Sequence, residues 1–360
     1  MSSMVERELG RQTSLAALRG HKSSVNCLEP LRKGDPAAFA SGSDDKTVRL
    51  WDIRASPQRA QHCICECFPT GVDTIAVNPQ DNALLYTASG SQVFVFDLRA
   101  MTGVIHKEPL GVVDTGGDSG NEINALRVHH RGECVAVGDD EGNVVVLEMG
   151  TASRNPATWK VSKKLSGRGV HTGIIGAVAF RPNNSRELVS GGFDCIAASW
   201  DFSLGRPLHR CNFTQVSVGG EGAAGAPVVN PPFVHALGFA CAGRVVLAAL
   251  GDGSLRALRT QSMTQVAAVE AHSGLASCLH VCGAAGEEMV LTGGIDRLLR
   301  GWAVQEEEGK TGAVTISPRF SIDHGEKINA LCLLGSASGG EETIVVADAT
   351  SSISIYPLPL

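Results

Sequence analysis

The sequence predicts an all-β fold built from seven copies of one strand–turn–strand unit. Three observations predict it. Residues 41–54, SGSDDKTVRLWDIR, read as the end of one strand, a tight turn and a second strand. A large anchor residue ends such a second strand seven times, at Trp51, Phe96, Leu147, Trp200, Leu258, Trp302 and Tyr356, spaced 44 to 58 residues apart. The composition, with 42 glycines and only 5% aromatic residues among 360, suits many tight turns between short strands.

Residues 1–12 read as a flexible tail, and 13–18 as a candidate strand. In the first unit Asp44 and Asp45 make the turn, because an Asp carboxylate bonds its own backbone two residues on. Residues 47–51 alternate, so Val48 and Leu50 face one way and Thr47, Arg49 and Trp51 the other. The second unit has strands at 84–89 and 93–97, with Phe96-Asp97 where the first has Trp51-Asp52 and a turn one residue shorter. The third runs through 134–147 and ends Leu147-Glu148. The fourth, 188–201, repeats the first closely. The fifth is the weakest, a hairpin around Gly251-Asp252-Gly253 after a Gly/Ala/Pro-rich insertion at 216–232, expected as an exposed loop. The sixth recovers at 290–302 and is followed by a loop insertion at 305–318, whose glutamates 306–308 are expected to be solvated. The seventh closes at Tyr356. Residues 13–360 are thus expected to form one domain.

The formal charge of -6 argues against non-specific nucleic-acid binding. No apolar run reaches the roughly 18–20 residues of a membrane span. The eleven cysteines are odd in number and irregularly spaced, and residues 1–12 lack the apolar core of a signal peptide. Free thiols in an intracellular compartment, cytoplasmic and/or nuclear, are expected.

Three units carry the same four residue types at matching offsets: His21, Ser41, Asp45 and Trp51; His171, Ser190, Asp194 and Trp200; His272, Thr292, Asp296 and Trp302. Ser, His and Asp together are also the residue types of a hydrolase triad. Catalysis needs one site, whereas packing needs one set per unit, so recurrence with a Trp each time favours a structural network. No Gly-x-Ser-x-Gly elbow occurs. Gly309-Lys310-Thr311 echoes the end of a phosphate loop, but position 304 is Val where that loop needs Gly. Cys63-x-Cys65-x-Cys67 is expected on the outer strand of the second unit and Cys278-x-His280-x-Cys282 on the inner strand of the sixth, where alternate residues share a face. Zinc sites prefer Cys pairs two to four residues apart at turns. No enzymatic activity, metal or cofactor is expected.

The remaining signal is a repeated box. Asp52-Ile53-Arg54 follows Trp51, and Asp97-Leu98-Arg99 follows Phe96. Adjacent units should bring both guanidiniums to one rim, where Arg suits bidentate contact with carboxylates or packing into an interface. The alternative is pairing of each Arg within the domain, with Asp52 or Asp97.

Gly20-His21, a hairpin and then Trp51-Asp52 resemble the WD-repeat β-propeller family. The resemblance implies a seven-bladed WD-repeat β-propeller, closed by an N-terminal strand that completes the last blade. It implies that each four-residue set forms a buried chain from indole N–H through hydroxyl and imidazole to carboxylate. Tandem boxes of this type mark family members that dock on damaged-DNA-binding protein 1, the adaptor of cullin-4 ubiquitin ligases. Residues 324–331 and 345–358 are similar to a proposed receptor of that group. The resemblance therefore implies a protein–protein interaction propeller acting as a ligase substrate receptor. Trp51, Asp52, Arg54, Phe96, Asp97 and Arg99 would lie at the adaptor contact. An unknown protein substrate would bind the opposite face and channel mouth, other subunits would transfer ubiquitin, and no nucleic acid or membrane would take part. The alternative is a non-catalytic scaffold subunit of an unrelated complex.

Overall fold

Strands too short and too two-sided to be stable alone pair here into seven sheets, each the blade of a ring. The structure, a computed structural model, describes residues 7–9, 14–31, 37–54, 60–115, 120–149, 155–165, 170–216, 230–284, 287–307, 313–335 and 342–359. Blade 1 runs from the channel outward through Val25–Pro30, Ala38–Ser43, Thr47–Asp52 and His62–Ile64. Blade 2 follows with Thr74–Val77, Leu84–Ser89, Gln92–Asp97 and Gly111–Asp114. Blade 3 is Ile123–Val128, Cys134–Asp139, Val144–Glu148 and Lys160–Leu165; blade 4 is Ile175–Phe180, Glu187–Gly192, Ile196–Asp201 and Arg206–Asn212. Blade 5 is Val234–Ala240, Val245–Leu250, Ser254–Arg259 and Thr264–Glu270; blade 6 is Ala276–Ala284, Glu287–Gly294, Leu298–Glu306 and Val314–Asp323. Blade 7 has three strands of its own, Ile328–Leu334, Thr343–Asp348 and Ser352–Pro357. Its outer strand is Ala16–Arg19, paired antiparallel from Ala16 opposite Ile355 to Arg19 opposite Ser352. The closure expected from the sequence is therefore present.

Neighbouring blades cover both faces of the second strands, which are therefore buried without alternation. Every residue of Leu84–Ser89 and Val245–Leu250 is buried. The core is accordingly divided, with one apolar cluster at each of the seven blade interfaces. The cluster between blades 7 and 1 joins Leu18 of the closing strand to Phe39, Trp51, Val345 and Ile353.

Six inner strands carry a bulge near their first residue, which leaves Asn26, Asn124, Gly176, His235, Ser277 and Asn329 without a ladder partner. A bulged residue is re-aimed out of the sheet, and these line the central channel. Several tie their blade to the next: Ser277 Oγ donates to the Ile328 carbonyl, and Asn329 Nδ2 to the Val25 carbonyl at 3.0 Å. Gly176 has no room for a side chain, since a Cβ there would stand 2.4 Å from the Val234 carbonyl oxygen.

All three predicted four-residue chains form. Trp51 Nε1 donates to Ser41 Oγ (2.8 Å), which bonds His21 Nε2 (2.7 Å), and His21 Nδ1 meets Asp45 Oδ2 (3.0 Å). A carboxylate only accepts, so Nδ1 carries the imidazole proton. Trp200, Ser190, His171 and Asp194 repeat this at 2.8, 2.8 and 3.0 Å. Trp302, Thr292, His272 and Asp296 do so at 2.9, 2.9 and 2.8 Å. The carboxylates also accept backbone N–H groups across the loop, as Asp45 does from Lys22, so each chain fastens the strand-connecting loop to the turn. Burial works to raise the carboxyls of Asp45, Asp194 and Asp296, but the histidine hydrogen bonds and their neighbours outweigh it and hold all three below the usual range.

Other blades reach the same satisfaction with other residues. In blade 7 His324 bonds the Tyr356 hydroxyl at 2.9 Å and Asp348 at 2.8 Å, so one phenol does the work of indole and serine together. In blade 5 Arg256, 3% exposed, replaces the histidine. It meets Asp252 (2.6 Å), Ser254 Oγ (2.9 Å) and the Val216 carbonyl (2.6 Å), with Phe213 under its guanidinium. In blade 3 Asp139 folds the turn by accepting from Asn143 N and Nδ2 at 2.7 and 2.8 Å.

Four expectations are corrected. Arg7–Leu9, assigned to a flexible tail, forms a short strand parallel to Val314–Asp323. Much of 305–318, assigned to a loop, continues a hairpin in which Glu306 opposes Val314; apolar Val304, Val314 and Ile316 pack against blade 5 and pull the strands outward. Glu306, expected to be solvated, is 15% exposed and is bound by Arg244 Nε (2.6 Å) and Arg259. Cys63 to Cys67 begins on the outer strand of blade 1, not the second blade, because that strand pairs back onto Thr47–Asp52. Residues 217–229 and 308–312, which hold most of the first insertion and Gly309-Lys310-Thr311, lie outside the described residues.

Trp200→Ala should lower stability by about 3–5 kcal/mol, through lost burial and an orphaned Ser190–His171 pair. Arg256→Ala should cost about 3–5 kcal/mol, because it leaves Asp252 without its charge partner. Both are read from urea unfolding, and a loss below 1 kcal/mol would contradict the assigned network. The pH dependence has a definite sign. Burial lowers the pKa of His21 despite Asp45, and lowers that of His235 to about 4. Both therefore take a proton more readily unfolded, so stability should fall as pH drops below about 6.5. The depressed aspartates Asp45, Asp194, Asp296 and Asp348 should add a second loss below about pH 4. A urea midpoint that is flat or rises between pH 7 and 4 would exclude this.

Candidate functional site

The third strands of blades 1 and 2 run in the same sense, so residues 52–54 and 97–99 leave them on one face, one blade apart. The two boxes fold alike. Asp52 accepts from Arg54 N (2.9 Å), Nε (2.9 Å) and NH2 (2.8 Å). Asp97 accepts from Arg99 N (3.0 Å), Nε (2.8 Å) and NH2 (2.6 Å), and caps the short 3-10 turn Leu98–Ala100. Arg99 NH1 also lies 3.6 Å from Asp81. Each Arg thus pairs within the domain, as the alternative reading held. The Arg54 hydrogen bond holds the Asp52 carboxyl below the usual range, and Asp97 raises the Arg99 guanidinium. The side chains of Arg54 and Arg99 nevertheless remain 50% and 46% exposed. A guanidinium locked this way is a rigid flat surface rather than a mobile cation.

Trp51 and Phe96, expected at the partner contact, are each only 2% exposed. Trp51 stacks on Phe39 and donates to Ser41, and Phe96 packs edge-on against Phe68. They fix the strand ends from which the boxes project and leave the surface to Asp and Arg. Phe96 fills this role without an indole N–H.

One feature of this rim was not foreseen. After Arg99 the chain crosses back to blade 1, where Ile105–His106 pairs parallel with Cys63 and Ile64. His62 and His106 both bond the Gly103 carbonyl at 2.7 Å. Val104, Ile105, Leu110 and Val112 are all exposed along this segment. Ile105 and Leu110 line a cavity of about 520 Å³ together with Asp97 and Met101. The sequence clue is a set of apolar residues in a connection that reaches two blades.

The turns at Asp44 and Phe193 lie at the opposite ends of the third strands. There the seven inner strands enclose a cavity of about 220 Å³ to which every blade contributes, and a second, of about 360 Å³, opens at the other end of the channel. The hydroxyls of Ser41, Ser190 and Thr292 reach neither, since all three residues are fully buried and each hydroxyl is already engaged by indole and imidazole. A buried, doubly bonded hydroxyl offers no route to a substrate.

All eleven cysteines are free. Cys278 and Cys282 lie with His280 on the inner strand of blade 6, as expected, and burial pushes both thiols up to about 12, so neither is a ready nucleophile or ligand. Among the described residues no group of three or more His, Cys, Asp or Glu is arranged to hold a metal ion. Among the described residues no helix is long and apolar enough to cross a membrane.

Known proteins agree with this architecture. The family model for the WD domain, G-beta repeat, matches residues 12–52. The WD repeat-containing protein 53 homolog of Dictyostelium discoideum is 26% identical over 95% of this chain and 93% of its own length. The human U5 small nuclear ribonucleoprotein 40 kDa protein is 57% identical over 37 residues, 10% of each chain. The crystal structure of the WD40 β-propeller domain of Doa1 superposes with a TM-score of 0.70, covering 96% of both chains at 15% identity. Propellers of this family are generally non-catalytic surfaces for protein–protein interaction. Residues 12–52 match the WD repeat, and the seven blades with their N-terminal closing strand give the chain the fold of a WD40 β-propeller.

Proposed function

We propose that this propeller is a substrate receptor of a cullin-4 ubiquitin ligase and docks on damaged-DNA-binding protein 1 through the Arg54/Arg99 rim. One observation carries the reading: the same carboxylate-locked Arg fork occurs in two adjacent blades on one face. Pre-organised flat guanidiniums lose little entropy when they pack into a partner, which is what an interface anchor requires. The full-length relative named for WD repeat-containing protein 53 supports it, as does the likeness of residues 324–331 and 345–358 to that receptor group. The exposed apolar segment 104–112 beside Arg99 widens the rim. Residues of the propeller hold the adaptor and the substrate, while other subunits transfer ubiquitin.

A scaffold role in an unrelated complex has its own support, since each Arg is already satisfied inside the domain. The two readings part in a pull-down from cells comparing the wild type with Arg54→Ala, Arg99→Ala and the double variant, each with an unchanged thermal midpoint. Receptor function predicts that the adaptor is lost in the double variant, by at least about tenfold for a hot-spot pair. Adaptor binding that survives both substitutions, or no adaptor with the wild type, would overturn the reading.

A further inference from the structure

The channel mouth on the face away from Arg54 and Arg99 is divided by chemistry. On blades 1 to 3 it carries the exposed carboxylates of Asp44, Asp73 and Glu122. Asn26 Nδ2 bonds Asp44 Oδ1 at 2.6 Å and reaches Asp73 Oδ1 at 3.4 Å, which draws two of these anions together. Partial withdrawal from water, then Asp44 and Glu122, push the Asp73 carboxyl up. Among the described residues none of the three forms an ion pair. No cation acts on Asp73 among its neighbours: Lys46 is turned to the Pro69 carbonyl at 2.7 Å, Lys327 on blade 7 acts on His235 across the mouth, and Arg127 lines the cavity beneath.

On blades 4 to 6 the mouth is apolar. Phe193 stacks on Phe233 at 5.5 Å and tilts against His235 at 4.8 Å. Gly176 gives the Phe193 ring its place, because a Cβ there would come within 2.7 Å of it. Ile295, at the corresponding turn of blade 6, is 44% exposed. Between the two arcs lies the cavity of about 220 Å³, of side-chain rather than domain size. His235 lines it, with Nε2 buried and without a protein partner.

We infer that this mouth binds a peptide segment carrying a Lys or Arg side chain close to an apolar one, the cation set against Asp44, Asp73 and Glu122 and the apolar residue against Phe193, Phe233 and Ile295. Three uncompensated carboxylates at a partly desolvated rim repel one another, and a cation relieves that repulsion at close range. The adjoining aromatic arc supplies the apolar contact that a small concave site needs for affinity. A neutral or acidic partner would leave the carboxylates desolvated and unpaired. That the peptide belongs to a ligase substrate rests on the receptor reading above; the peptide chemistry does not.

The test screens a positional-scanning library of short peptides on the immobilised full chain. Wild type should enrich Lys or Arg with Leu, Ile or Phe within a few positions. The best peptide should bind at least about tenfold more weakly to Asp44→Asn/Asp73→Asn and to Phe193→Ala, at unchanged thermal midpoints, and more weakly as salt is raised. Arg54→Ala/Arg99→Ala should bind it as wild type does. No enriched peptide, enrichment without basic residues, or full binding by the Asp44/Asp73 variant would overturn the inference. Peptide binding in a chain that never takes the adaptor would leave this site standing and remove only the receptor reading.

Discussion

Ring closure between Ala16–Arg19 and Ser352–Pro357 is the contact on which the other blades depend. Each blade buries apolar surface only against its two neighbours, so an open row would leave two faces bare. The closing strand gives blade 7 its fourth strand and brings Leu18 into the last interface cluster beside Trp51. It joins the two ends of the chain, and non-local pairing of this kind is entropically expensive. It repays that cost by sealing blades 7 and 1 together and by removing one long open edge.

Within the ring, five blades satisfy their buried polar groups with different sets of residues, whereas in blade 2, where Phe96 brings no indole N–H, the buried Thr87 hydroxyl has no protein partner. Blades 1, 4 and 6 meet it with Trp, Ser or Thr, His and Asp. Blade 7 meets it with Tyr356, His324 and Asp348, and blade 5 with Arg256, Asp252 and Ser254. A phenol combines a donor and an acceptor, and a guanidinium supplies several donors, so either replaces the longer chain. This is the physical reason the repeat pattern fades in some blades while the blade itself persists.

The disc then offers two faces of different character. One carries rigid Arg forks, buried aromatic supports and an exposed apolar crossing segment. The other carries a narrow mouth, acidic on one side and aromatic on the other. The strand direction separates them: each third strand begins at a turn on the mouth side and ends at the rim. One propeller thereby presents two chemically distinct surfaces on opposite faces.

The sequence by itself determined the blade count, the hairpins and the three recurring His–Ser/Thr–Asp–Trp sets, because these follow from local alternation, turn residues and fixed offsets within one unit; that each set forms a buried chain was implied by the family resemblance. It also located the two Arg boxes, which are contiguous. The tertiary structure alone decided what depends on neighbours distant in the chain. The pairing of Arg7–Leu9 with blade 6, the return of Ile105–His106 to blade 1 and the ion pairs of Glu306 with Arg244 and Arg259 are of this kind. So is the channel mouth, where Asp44, Asp73, Glu122, Phe193, Phe233 and Ile295 lie up to 251 positions apart in the chain. No spacing rule connects them, since their proximity is set by the ring that the blade interfaces close.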